Sequence, residues 1–155
     1  MSPINILIAD DDEDDIFFAV EALNKSRLAN NVFCVKDGAE LLDFLNKHGK
    51  YTAESAPTPD LILLDLNMPK KNGREALKEI KSDERFDQIP VVILTTSDAE
   101  QDIIASYKLG ANSYINKPVD FDGLVDIMKA LKTYWVQFVK LPPNGARREI
   151  SSDTS

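Results

Sequence analysis

The sequence predicts a doubly wound α/β fold, a five-stranded parallel sheet with five helices covering it. Two observations carry that expectation. Five short apolar runs recur along the 155 residues, and each is followed by a stretch whose apolar residues repeat at helical spacing. Strict alternation of the two patterns is the mark of a parallel sheet, whose strands read as near-continuous apolar runs because helices cover both faces.

The strands are expected at 4–9, 31–36, 60–65, 90–95 and 112–116. The runs Leu61-Ile62-Leu63-Leu64 and Val91-Val92-Ile93-Leu94 are the most apolar, which puts them at the sheet centre. Ile16, Phe17, Val20 and Leu23 mark the stripe of the first helix, and Leu41, Leu42 and Leu45 that of the second. Ala76, Leu77 and Ile80 form a third, and Ile103, Ile104 and Tyr107 a fourth, ended by Gly110. Leu124, Ile127, Met128 and Leu131 begin the fifth, which should run from Phe121 to Lys140. Residues 47–59 form a long loop remote from the functional end, with His48 as a solvated loop histidine. Residues 1–141 make one domain; 142–155, after Pro142-Pro143, read as a disordered tail.

Net charge of −8 and a pI near 4.6 argue against nucleic acid or an anionic membrane as partner. The lone cysteine, Cys34, cannot form an internal disulfide and reads as a small buried residue in a reducing compartment. No apolar run approaches the roughly 20 residues of a membrane span, and no leader opens the chain. A cytoplasmic protein is expected.

The chemistry sits at strand ends. Asp10, Asp11, Asp12, Glu13, Asp14 and Asp15 follow the first run, and Asp65 ends the third. Two carboxylates about 4 Å apart repel by roughly 4 kcal/mol at an effective dielectric near 20. Either they share a proton or a cation lies between them, and Mg2+ suits all-oxygen donors. Thr95 ends the fourth strand and Lys117 the fifth. With strand order 2-1-3-4-5, Asp10, Asp11, Asp65, Thr95 and Lys117 surround one crevice at the topological switch point. Asp12 to Asp15 are explained well by the dipole of the following helix, and Thr96 is the rival hydroxyl to Thr95.

The set Asp10-Asp11, Asp65, Thr95 and Lys117-Pro118 resembles a response-regulator receiver domain of the chemotaxis-regulator type. Thirty residues separate Asp65 from Thr95 and twenty-two separate Thr95 from Lys117. Asn67-Met68-Pro69, Gly73 and Gly110-Ala111 agree with the same pattern, although Asn72 stands where receivers often have Asp. Residues 66–75, together with Tyr134-Trp135 through Leu141-Pro142, resemble the regulators associated with cyanobacterial and bacterial phytochromes.

The resemblance implies that Asp65 is the phosphoacceptor, served by a sensor histidine kinase that a bacteriophytochrome would supply. It implies Mg2+, replaceable by Mn2+, bound by Asp11, Asp65 and the Asn67 carbonyl, with Asp10 acting largely through water. Lys117 and Thr95 would hold the phosphoryl oxygens and Tyr114 would turn inward as the switch. Pro118 would follow a cis bond. Asn67 and Ser97 would flank the attacking water and so set the phosphoryl lifetime. The protein would be a stand-alone switch in a two-component system rather than an enzyme. The rival readings are a phosphorelay intermediate and an Mg2+-dependent aspartyl-phosphate hydrolase; the latter would usually need a second Asp where Asn67 stands.

The fifth helix carries one more expectation. Twenty residues span roughly 30 Å, whereas a strand spans only about 20 Å. Tyr134, Trp135 and Phe138 on its overhanging turns therefore read as a homodimer interface.

Overall fold

The computed structural model describes residues 4–27, 31–96, 99–117 and 120–134, without the side chains of Glu100 and residues 132–134. Strands β1 (Asn5–Ala9), β2 (Asn31–Val35), β3 (Leu61–Leu64), β4 (Val91–Thr95) and β5 (Ser113–Asn116) alternate with five helices. These are α1 (Glu13–Ser26), α2 (Gly38–Asn46), α3 (Gly73–Lys81), α4 (Glu100–Lys108) and α5 (Phe121–Tyr134). All strand pairs are parallel and the order is β2-β1-β3-β4-β5. The expected order and each expected strand are present.

The sheet divides the core in two. On one face Leu7, Ile62, Leu64 and Ile93 meet Leu41, Phe44, Ala76, Leu77 and Ile80. On the other, Ile6, Ile8, Leu63 and Val92 meet Ala19, Leu23, Leu124 and Met128. Residues of one strand alternate between these clusters, as the pleat requires, and β3 and β4 are buried throughout.

Helix starts follow from local chemistry. Asp12 caps α1 by accepting from the amides of Asp14 and Asp15, and Asp37 caps α2 through the Glu40 amide. Asn72 closes a capping box with Glu75 at the start of α3, so the Asn at this position serves as a helix cap. Ala99 precedes α4 with no side-chain cap.

Three expectations change. Phe17 is 66% exposed, because the buried face of α1 is Ala19, Ala22, Leu23 and Ser26. Phe17 precedes Ala19 by two residues, about 200° around the helix. On α4, Ser106 is buried whereas Ile104 is exposed and Tyr107 is 49% exposed; α4 lies beside the edge strand β5, which covers only part of its face. Cys34 is exposed, not buried, because β2 is the other edge strand. The loop between α2 and β3 packs on the core. Its Tyr51 ring meets Phe44 with centroids 5.1 Å apart, and Ala56 is fully buried. His48 within it is exposed, as expected. Pro118, Ser97, Trp135, Phe138 and the segment 142–155 lie outside the described residues, as does the expected end of the fifth helix.

Candidate functional site

Parallel register brings the strand ends to one edge. Ala9 pairs with Leu64, Leu64 with Ile93, and Thr95 with Asn116. One further ladder bond fixes each residue that follows. Asp10 donates its amide to Val35, Asp65 to Ala9 and Lys117 to Thr95, at 3.0, 2.9 and 2.7 Å. Asp10, Asp65 and Lys117 are thus held by the sheet, and Asp11 and Asn67 follow on the loops that leave it.

Asp10 and Asp65 are 3% and 7% exposed, and Asp11 lies in the open. One carboxylate oxygen from each of the three falls within 4.8 Å of the others. The Lys117 side chain, 9% exposed, enters this group. Its Nζ donates to Asp10 Oδ2 at 2.9 Å and Asp15 Oδ2 at 2.8 Å, and stands 3.5 Å from Asp65 Oδ2. Fully buried Thr95 donates its hydroxyl to Asp65 Oδ1 at 2.8 Å, and the Asn67 amide donates to the same oxygen at 3.0 Å. Asn67 Nδ2 donates toward the hydroxyls of both Thr95, at 3.5 Å, and exposed Thr96, at 3.4 Å. Thr95, not its rival, faces Asp65.

The electrostatics are lopsided. At Asp10 burial is the largest influence and outweighs the Asp12 amide and Lys117, leaving the carboxyl above its ordinary range. At Lys117 burial pulls downward, but the bonds from Asp15 and Asp10 overcome it and raise the ammonium above the usual lysine value. Three carboxylates thus surround one cation, and a fourth, Asp11, joins Asp10 and Asp65 in the same cluster. An all-oxygen donor set with spare negative charge is what a hard divalent ion requires, so Asp10, Asp11 and Asp65 fit such an ion. A cavity of about 320 Å³ opens alongside, between Asp15, Phe18, Thr96, Lys117 and Leu124.

Sequence reasoning missed Asp15. The helix dipole already accounts for it, yet from the first turn of α1 its carboxylate reaches Lys117 at 2.8 Å. Tyr114 lies on the other side, partly buried against the α2 and α3 cluster. Nearby, Arg74 grips Asp102 with two hydrogen bonds of 2.9 and 2.6 Å, fixing the start of α4 to the start of α3.

The family model of the response regulator receiver domain matches residues 6–129. The chain belongs to that family. This receiver is 41% identical over 140 residues to the response regulator Rcp1 of Synechocystis sp., covering 90% of this chain and 94% of that protein. The crystal structure of the phosphorylated cyanobacterial phytochrome response regulator RcpA superposes with a TM-score of 0.81. It is 43% identical and the match covers 92% of this chain and all of that one. The Mn2+-bound form of Rcp1 gives 0.79 at 40% identity, with 91% of this chain and all of that one covered. The chain is therefore a receiver response regulator of two-component signalling, related to phytochrome-associated regulators. Among the described residues no helix is long and apolar enough to cross a membrane.

Proposed function

We propose that Asp65 accepts a phosphoryl group from a phosphohistidine of a sensor kinase, and that the receiver thereby changes which protein it binds. A carboxylate oxygen of Asp65 attacks phosphorus, the P–N bond breaks, and the leaving imidazole takes up a proton. The observation that carries this reading is the pair of donors on Asp65, Thr95 at one oxygen and Lys117 beside the other, inside a trio of carboxylates. Asp11, Asp65 and the Asn67 carbonyl would hold Mg2+, with Mn2+ able to substitute and Asp10 acting through water. Bound there, the ion supplies neutralisation of the charge that spreads over the transferring oxygens. Lys117 exchanges carboxylate partners for a phosphoryl oxygen, and Thr95 donates to another. As Thr95 moves, Tyr114 follows inward.

The relatives support this reading: RcpA is described as phosphorylated and Rcp1 as Mn2+-bound. They also favour a phytochrome-type kinase, such as a bacteriophytochrome, as donor; this chain would act in the cytoplasm as a stand-alone switch. The apolar residues Tyr134, Trp135 and Phe138 favour a homodimer through the fifth helix. The test is to incubate the protein with acetyl phosphate and Mg2+ and weigh it intact. One phosphoryl adduct is expected, and none should form when Mg2+ is chelated beforehand or in Asp11→Ala. No adduct, or an undiminished one in Asp11→Ala, overturns the proposal.

A further inference from the structure

The loop from Asp65 to Gly73 carries Asn67 and must leave β3, pass the crevice and turn back into α3. Two glycines pin it. At the near end Gly73 donates its amide to Leu66 at 3.0 Å, and a Cβ there would lie 2.3 Å from the Asp65 carbonyl oxygen. At the far end Gly38, first residue of α2, donates its amide to the Lys71 carbonyl at 2.9 Å. A Cβ on Gly38 would stand 2.1 Å from that oxygen and 2.7 Å from its carbon. Conformational freedom is not the reason for glycine here, because Gly38 is absent from the residues with positive φ. The reason is contact between two backbones.

The contact is braced on both sides. Lys70 takes a left-handed φ of 62°, and its ammonium lies 3.6 Å from Asp37, the cap of α2. The start of α2 is stiff in turn. Asp37 accepts from the Glu40 amide at 2.7 Å, while the Glu40 carboxylate accepts from the Lys36 amide at 2.8 Å and from the Tyr51 hydroxyl. Leu41, Phe44 and Leu45 bury the rest of the helix. A clash at Gly38 involves backbone, so no rotamer relieves it. The helix is anchored in the core, so the loop must yield.

We propose that Gly38 is a positioning residue for the crevice: by letting α2 touch the Lys71 carbonyl, it seats the loop that presents Asn67 beside Asp65. This rests on the reading above that the Asn67 carbonyl serves the metal. It also gives the long loop before β3 a part in the site, through Tyr51, Glu40 and the start of α2.

The test compares Gly38→Ala with wild type and with Gly49→Ala. Gly49 has φ of 63° and nothing within 4 Å of an added Cβ, so alanine there strains the backbone without a clash. Mn2+ binding is read by electron paramagnetic resonance, and the amide positions of residues 66–72 by NMR. Gly38→Ala should weaken Mn2+ binding by about tenfold, as loss of an outer-shell support does, and move those amides. Gly49→Ala should do neither. Wild-type affinity and unmoved amides in Gly38→Ala overturn the proposal, as does an equal loss in Gly49→Ala. If the wild type binds no Mn2+, the functional reading falls and the amide shifts alone decide the seating. Should Gly38→Ala not fold, the wild type still decides. Coupling is reciprocal, so Mg2+ should slow hydrogen exchange at the Gly38 amide, and an unchanged rate contradicts the seating.

Discussion

Lys117 carries its ammonium into a space where Asp10, Asp15 and Asp65 converge, and burial alone would drive that proton off. The carboxylates keep it charged, and it keeps them tolerable. Removing one partner of a buried pair leaves an uncompensated charge, at a cost of about 3 kcal/mol. Lys117→Ala should therefore lower the unfolding free energy from urea melts by about 3 kcal/mol in metal-free protein. Mg2+, binding only the folded state, should recover part of it; no recovery would contradict the charge balance described. Asp15 is partly exposed, so Asp15→Asn should cost less than about 1 kcal/mol. At this scale the sequence was highly legible. Asp10, Asp65, Thr95 and Lys117 each end or follow an apolar run, and a parallel sheet aligns such ends. Thr95 was preferred to Thr96 as the end of its apolar run, and it is the last residue of β4 and donates to Asp65. Asp15 was overlooked because a simpler role already accounted for it.

Helix α2 depends on Glu40, whose carboxylate joins the Lys36 amide to the Tyr51 hydroxyl. Burial tends to raise the Glu40 carboxyl, but the hydroxyl and amide together hold it below its ordinary value of 4.5. A carboxylate with a lowered folded value stabilises above its unfolded value, and that contribution disappears as pH falls through the folded one. Wild type should thus exceed Glu40→Gln by about 1 kcal/mol at neutral pH, and the gap should close in acid below 4.5. Urea melts across that range check it; a gap independent of pH would contradict the assignment. The elements themselves were legible wherever their apolar face is complete, as in α3 and β3. They were misread where large residues drew attention from small ones. Ala19 and Ala22 bury the α1 face that Phe17 leaves, and Ser106 takes the place expected of Tyr107. Periodicity of bulk is a weaker guide than periodicity of anything that fits against a sheet.

Across the whole molecule, the order β2-β1-β3-β4-β5 brings together residues as far apart in sequence as Asp10 and Lys117. That gathering follows from the rule that ligands sit where strand order reverses, so the crevice could be foreseen once the strands were. The brace from Tyr51 to Gly38 could not. It runs from a loop through the first turn of α2 to a second loop, and no periodicity marks it. Self-association belongs to this scale too. Trp135→Asp places a charge in the proposed fifth-helix interface, and light scattering should then give a monomer where wild type gives a dimer. A wild type already monomeric would end that proposal. The central claim is narrower, that the phosphoryl group goes to Asp65 and nowhere else among the crowded carboxylates. Borohydride reduction of the phosphorylated protein, followed by peptide mass mapping, tests it most directly. The account predicts that reduction converts Asp65 alone to homoserine. A reduced Asp10, Asp11 or Asp15, with Asp65 intact, would contradict it.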